Sequence, residues 1–526
     1  MAVSASLVCT KTMLNPQRSA TECESPSHAG ESPETFPRGR RNNRRVLVLT
    51  AVTLLGAATA VADDAPMAES DEATVAEEAI SPAGEAPPAA SMEDGSGAHR
   101  EEAEALLLQA ERVVQEIAAV RGIEAQRPIP AEVQDRTTLG ERIREMILRE
   151  YPIEEIEADQ RAMMVAAVLG PDDSLFDLTL GMLQENIAGY YDHDMKTFFI
   201  LDDTPPEAQE MVMSHELFHA LQDQEWGIEL VRGPEDNLSD VTLARTALLE
   251  GDAVAVMLLH SVGPGVALNE IPFVEALLQQ TSVQPAGGFQ VPDMMWQQLA
   301  YPYSAGFSFI LDLFEAGGWD AVNAAYLDPP DSTEQILHPE KYLTRDDPTW
   351  IEFSLRSHGH LQMYEDDIMG EFSSRAWLQQ ILTGRVTPTS IERACAGWDG
   401  DRMRFFRNPG DESHDVLVWA VTFDSTAEAS AMRRVLPRVG EPLLGVEEYA
   451  GVIDGEPFEW MSTDIGSLRV EQRDETVVMV LEKSEGRSEE ERRRYLQDLS
   501  DDVWNSLNLG AYPETVTERQ QAGPEQ

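Results

Sequence analysis

Apolar residues recur at every third or fourth position along much of the chain before residue 190, and this spacing predicts amphipathic helices. The first helix follows residue 99 and has apolar positions at Leu106, Leu107, Ala110, Val113, Val114 and Ile117. Proline residues in the segment 127–130 end it. Further helices are predicted near 138–150, 154–168 and 174–188. Residues 99–188 are therefore predicted to form a helical module.

Short strands and then longer helices are predicted between residues 189 and 338. Gly189-Tyr190-Tyr191 and the segment 197–201 predict a strand pair, with Asp192-His193-Asp194 at the turn. Pro205-Pro206 opens a helix that runs to about Trp226, because proline suits the first helical turn. The remaining helices in this region are predicted at 241–262, 270–281, 303–316, 319–326 and 332–338.

The apolar pattern changes again after residue 400, where strands alternate with helices. Strands are predicted at 402–407, 416–423, 467–472 and 476–482. Helices are predicted at 426–436 and 489–507. The fold class predicted for the whole chain is therefore α+β, mainly helical, with a small α+β module at the C-terminal end.

The N-terminal region has the order of charges and apolar residues that is typical of a secretory signal peptide. Arginines between residues 38 and 45 precede the uncharged segment 46–62, which ends in Ala60-Val61-Ala62. We expect a signal peptide at about 38–62 and export to the periplasm, cell envelope or exterior. The alternative is an uncleaved membrane anchor, although 17 uncharged residues are short for a membrane span. Residues 63–98 are acidic and poor in apolar residues, which predicts a disordered linker.

Charge and cysteine content restrict the possible partners and sites. The 526 residues include 39 Lys and Arg against 94 Asp and Glu, for a net charge of −55. This balance argues against nucleic acid as a partner, and a membrane contact is expected only if segment 46–62 is uncleaved. Three cysteines cannot build a disulfide framework or a four-cysteine zinc site. Cys395 is expected to be a small core residue. The oligomeric state stays open.

Residues 214–226 read SHELFHALQDQEW and carry the clearest chemical signal. His215 and His219 are four residues apart, so on a helix both imidazoles lie on one face and can bind one Zn²⁺. Glu216 would stand beside the metal, where a general base is needed to activate water. The alternative is a pair of surface histidines next to an acid, which predicts no third ligand.

Glu250 is a candidate third ligand, in the segment TALLEGDAVAVML. A carboxylate within an apolar helix is unfavourable unless it is paired or bound to a metal. Two histidines and one glutamate leave a fourth position for water, which is typical of a catalytic zinc site.

This combination of HELFH and a glutamate on a later helix resembles the gluzincin metallopeptidases. The segments HALQDQ, ALLEGDA, AGYYDHDMKTFFI, PPDSTEQILHPEKY and GWDGDR more narrowly resemble a poorly characterised group of secreted bacterial proteins, over roughly residues 100–435. The resemblance implies a zincin-like core with one Zn²⁺ per chain. His215, His219 and Glu250 would be its ligands, and Glu216 its general base. Val254 stands where thermolysin-type chains have an aspartate that supports a ligand, and Asp252 and Asp223 are candidates to serve instead.

Weaker candidates lie downstream. Tyr301, Tyr303 and His338 are candidates for stabilising an oxyanion, although the tyrosines could be packed aromatics with bonded hydroxyl groups and His338 could simply end a helix. His358 and His360 are expected in a solvated loop rather than at a second metal site. The strand at 197–201 could pair with an extended substrate or be an ordinary inner strand.

The sequence as a whole predicts an exported zinc peptidase that acts on peptides or proteins. A zinc protein without peptidase activity and an envelope interaction protein with a degenerate site remain alternatives. The predicted segments are an N-terminal extension with signal peptide (1–62), a linker (63–98), a helical module (99–188), a zincin-like catalytic domain (189–395), an α+β module (396–511) and a polar tail (512–526).

Overall fold

The computed structural model describes residues 96–228, 231, 238–271, 289–445, 457–462 and 465–513. The expected signal peptide, most of the linker and most of the polar tail lie outside these residues, as does most of the helix expected at 270–281. Within them, no helix is both long enough and apolar enough to cross a membrane.

The described residues form an α+β fold, as the sequence predicts. The helices are α1 (Ser96–Arg121), α2 (Arg136–Glu150), α3 (Ile153–Val165), α4 (Leu175–Asn186), α5 (Pro206–Glu225), α6 (Ser239–Val262), α7 (Asp293–Leu327), α8 (Thr333–Leu337), α9 (Pro339–Thr344), α10 (Gly370–Ile381), α11 (Pro388–Cys395), α12 (Thr426–Val435), α13 (Gly440–Leu444) and α14 (Glu489–Ser506). The strands are β1 (Ala131–Gln134), β2 (Gly189–Asp192), β3 (Thr197–Leu201), β4 (Trp350–Glu352), β5 (Gln362–Asp367), β6 (Trp398–Asn408), β7 (Asp411–Phe423), β8 (Phe458–Ser462), β9 (Gly466–Arg473), β10 (Thr476–Lys483) and β11 (Asn508–Gly510).

A three-stranded sheet lies beside α5, in the order β1-β3-β2. β3 pairs in parallel with β1 and antiparallel with β2, which confirms the strand pair and its turn. β1 is a strand that the sequence pattern does not predict. β3 has a strand on each side, so neither of its edges is open to an extended substrate. The prediction that it pairs with substrate is therefore wrong, and β3 is an ordinary inner strand.

Helices α1 and α5 pack on this sheet, α6 packs on α1 and α5, and α7 packs on α6. Residues of α1 such as Val113 and Ile117 share a core with Phe198 of β3 and Leu217 of α5. α7 begins ten residues earlier than expected and contains Pro302, and its backbone leaves the helical conformation at Gly317 and Gly318. The two helices expected on either side of these glycines therefore meet at a kink.

A six-stranded antiparallel sheet forms the C-terminal part, in the order β5-β6-β7-β10-β9-β8. Its two faces are both covered, since Leu417 and Trp419 alternate with Val416 and Val418 between two separate cores. Burial of both faces explains why β7 and β10 read as nearly continuous apolar runs. Cys395 is buried in the first core, as expected. β5 precedes the predicted boundary at residue 396 and pairs with β6.

Candidate metal centre

Helix α5 carries His215, Glu216 and His219. Its residues from Val212 to Asp223 are all buried, because the sheet, α1 and α6 enclose the helix. The helix therefore lacks the one-sided apolar stripe of a surface helix, and polar residues within it need specific partners. The interpretation of the two histidines as surface residues does not fit this burial.

Helix α6 brings Glu250 against the two histidines. His215 Nε2 lies 3.0 Å from Glu250 Oε2 and 3.1 Å from His219 Nε2. His219 Nε2 lies 3.3 Å from the same carboxylate oxygen. These three side chains form a buried cluster that could hold a metal ion.

The charges within the cluster favour an ionised Glu250. Burial disfavours the charged imidazolium, but the nearby Glu250 carboxylate raises the pKa of His219 above its usual range. Burial likewise disfavours an ionised Glu250, but attraction to His219 and hydrogen bonds from both histidines hold the pKa of Glu250 well below its usual range. A carboxylate kept ionised beside two imidazoles is a suitable ligand set for a divalent cation.

The positions of the donor atoms also fit a small metal ion. A tetrahedral zinc with bonds of about 2.0–2.1 Å has its ligand atoms about 3.3–3.4 Å apart, close to the three distances observed. Glu250 Oε1 and Glu216 Oε1 are buried and have no hydrogen-bond partner among the described residues. Buried polar atoms are usually satisfied, so these oxygen atoms favour a site that takes a ligand.

A backbone amide holds the second oxygen of Glu216. The N–H of Tyr191 on β2 donates to Glu216 Oε2 at 3.0 Å. The hydroxyl of Tyr191 donates to Asp223 Oδ2 at 2.8 Å, and Lys196 Nζ lies 2.7 Å from the same oxygen. β2 and Asp223 therefore fix the position of Glu216.

Gln222 is not among the site residues predicted from the sequence. Its Oε1 lies 2.7 Å from His219 Nδ1, so it contacts a candidate ligand directly, whereas Asp252 and Asp223 contact Tyr326 and Tyr191 instead. The i,i+3 spacing from His219 was the available signal, since residues three apart share a helix face.

The weaker candidates separate into different places. The ring of Tyr303 on α7 lies 5.9 Å from that of His215, between centroids. Tyr301 is buried and donates to the backbone carbonyl of Thr333 at 3.1 Å, as a packed aromatic would. His338 lies at the end of α8, where its Nε2 is 2.9 Å from Glu371 Oε2 of α10. The structure thus places Tyr303 beside the cluster of His215, His219 and Glu250, and His338 beside Glu371.

Histidines also lie beside acidic side chains elsewhere in the described part of the chain. The expectation of a solvated loop is wrong for His358, which is buried with its Nδ1 3.0 Å from Asp502 Oδ2. At the surface, Glu116, Glu210 and His260 also lie close enough to hold a cation. Arg112 already donates to both of these glutamates, so its guanidinium supplies the positive charge there.

Comparisons with known proteins concern the C-terminal sheet. Residues 360–491 match the model of a family described as a domain of unknown function (DUF8575), about a quarter of the chain. The match spans β5 to β10 and does not include His215, His219 or Glu250. No curated protein and no solved structure was found to match.

Proposed function

We propose that the protein is an exported zinc peptidase of gluzincin type. The observation that carries the proposal is the buried set of His215, His219 and Glu250, whose donor atoms lie within 3.3 Å of one another beside Glu216. The order of these residues along the chain agrees with the gluzincin resemblance. A zincin-like core of α5, α6 and the three-stranded sheet is part of the same proposal.

The chain's own residues would divide the chemistry as follows. Bound zinc would supply the Lewis acidity that makes a water molecule nucleophilic near neutral pH. Glu216 would take a proton from the attacking water at Oε1, while the Tyr191 N–H holds Oε2 in place. Glu216 would then deliver the proton to the leaving amine nitrogen. The hydroxyl of Tyr303 would donate to the developing oxyanion.

The test replaces the general base and leaves the ligands intact. Glu216→Gln should lower kcat for peptide hydrolysis by at least about 100-fold, because amide oxygen cannot accept the proton from water. Zinc content should be unchanged. Glu207→Gln, at the exposed start of the same helix, is the control and should keep full activity.

A second candidate is a zinc protein that does not cleave peptides. His215, Glu216 and Glu250 are each 1% exposed or less, which favours a site that a polypeptide does not reach. Zinc bound at one per chain, with no cleavage of any peptide in a mixed library, would favour this second function. Cleavage that depends on Glu216 would exclude it.

A further inference from the structure

A line of buried hydrogen bonds joins the ligand His219 to the ion pair of Arg121 and Asp252. Gln222 Oε1 lies 2.7 Å from His219 Nδ1, and Gln222 Nε2 donates to the Tyr326 hydroxyl at 2.7 Å. Tyr326 donates to Asp252 Oδ2 at 2.7 Å, and Arg121 Nε donates to Asp252 Oδ1 at 2.9 Å. The five residues come from α1, α5, α6 and α7.

The direction of this line is fixed at two independent points. The backbone carbonyl of Leu249 can only accept, so the Gln222 atom 2.9 Å from it must be the amide nitrogen. The Asp252 carboxylate, paired with Arg121, also only accepts, so the Tyr326 hydroxyl must donate to it. That leaves the Tyr326 oxygen to accept from Gln222, which gives the same orientation of the amide.

The orientation of the Gln222 amide decides which ring nitrogen of His219 carries hydrogen. With nitrogen turned towards Leu249 and Tyr326, the oxygen of the amide faces Nδ1 and can only accept a hydrogen bond. Nδ1 must therefore carry hydrogen. In the neutral ring this leaves the lone pair on Nε2, the atom that lies beside His215 and Glu250.

The surroundings hold this line of hydrogen bonds in one arrangement. Gln222 and Asp252 have no exposed surface, and the ring of Tyr326 stacks on that of Trp226 with centroids 3.9 Å apart. Burial, together with the Asp252 charge, raises the pKa of Tyr326 well above its usual range, so its hydroxyl keeps its proton.

We propose that Gln222 is the positioning residue of the metal centre, and that with Tyr326 and Asp252 it holds His219 in the form that binds metal through Nε2. This inference rests on the proposed metal centre but not on peptide cleavage. It also gives the buried ion pair Arg121–Asp252 a function in the site, although neither residue contacts a proposed metal ligand.

The experiment compares Gln222→Met with Gln222→Glu in the full chain. Methionine removes the acceptor for Nδ1–H, whereas glutamate keeps an acceptor but loses the donor to Leu249. Gln335→Met is the control, since Gln335 is a similarly buried glutamine that donates to backbone oxygen elsewhere. Folding is checked by circular dichroism.

Two quantities are measured for each protein. The first is the presence of hydrogen on Nδ1 of His219 in the metal-free protein, from ¹⁵N spectra of histidine-labelled chain assigned with His219→Asn. The second is the zinc dissociation constant, from competition with a chelator. Gln222→Met should lose the fixed Nδ1–H and bind zinc about 10–100-fold more weakly. Gln222→Glu and Gln335→Met should keep both properties, even where stability falls.

Several outcomes would overturn the inference. They are hydrogen on Nε2 rather than Nδ1 in the neutral ring of the wild type, wild-type zinc affinity in Gln222→Met, or equal losses in the Met and Glu variants. The spectra decide the protonation of His219 even if zinc does not bind. Absence of peptide cleavage would count against the proposed function alone.

Discussion

At the scale of single residues, the structure distinguishes two neighbouring tyrosines that the sequence could not. Tyr303 lies beside His215, whereas Tyr301 donates its hydroxyl to Thr333. Their different surroundings give them different expected roles although they are two residues apart on α7.

Replacing Tyr303 with phenylalanine tests the oxyanion role. Loss of one donor to an oxyanion typically lowers kcat by about 10²–10³-fold, with little change in zinc content. Tyr301→Phe is the matched control and should lower stability without a comparable loss of kcat. Equal kcat values for the two variants would remove Tyr303 from the mechanism.

Asp401, which is not part of the candidate metal centre, predicts how the stability of the protein depends on pH. Burial raises the pKa of Asp401 to about 6, although it accepts from Met369 N, Gly370 N and Trp398 Nε1. The folded state therefore binds a proton more tightly than the unfolded state, whose pKa is near the ordinary 3.8. The contribution of protonated Asp401 to stability is greatest below pH 3.8 and is lost as pH rises through about 6.

The measurement is the free energy of unfolding at pH 5 and pH 7 for the wild type and Asp401→Asn. Acidification should stabilise the wild type by about 1 kcal/mol more than the variant. Asp172→Asn, at an exposed position, should follow the wild type. A wild type that loses more stability than Asp401→Asn on going to pH 5 would contradict this account.

At the scale of elements, the crossing of α6 and α7 sets the position of Glu250. Gly251, the next residue, faces Gly306 of α7 so closely that a Cβ at either position would overlap backbone atoms of the other helix. Small residues at such a crossing let two helices approach, and here they allow α6, which carries Glu250, to lie close against α7, which carries Tyr303.

Gly251→Ala should therefore separate the two helices. The expected loss of unfolding free energy is about 1–3 kcal/mol, together with weaker zinc binding because Glu250 moves with its helix. Gly359→Ala is the control, since nothing lies within 4 Å of its added Cβ. Thermal unfolding and zinc titration of both variants check the prediction, and equal behaviour would count against this role of Gly251.

The sequence predicted some elements and residues of the site better than others, for physical reasons. The spacing of His215 and His219 and the position of Glu250 within an apolar helix are local features, so both could be recognised. β1 was missed because its four residues, AEVQ, show little strand pattern and depend on a parallel partner 67 residues away. Gln222 was missed because the orientation of its amide towards His219 is set by Leu249 and Tyr326, which come from other helices.

At the scale of the whole molecule, the helical module and the C-terminal sheet share a core. Ala162 and Val165 of α3 and Trp377 and Leu378 of α10 pack in the same cluster as Trp419 of β7. Polar contacts follow the same path, since Arg161 donates to the buried carboxylate of Asp415 on β7. The sheet that matches the family model thus packs directly against α3 and α10.

A fragment of residues 99–395, which ends at the predicted boundary, should not fold cooperatively. It would expose the apolar side chains of α3, α10 and α11 that the sheet covers. Denaturant unfolding followed by circular dichroism should give a broad transition for the fragment and a sharp one for the full chain. A monomeric fragment with a sharp transition would show that the predicted catalytic domain is independent.

The most direct test of the central claim is the metal content of the purified full chain, measured by mass spectrometry beside His215→Ala, Glu250→Ala and His260→Ala. We expect about one zinc per chain in the wild type, loss of zinc in His215→Ala and Glu250→Ala, and retention in His260→Ala, which alters the surface group of Glu116, Glu210 and His260 instead. A folded wild type that takes up no zinc when zinc is supplied, or variants at His215 and Glu250 that keep it, would contradict the account.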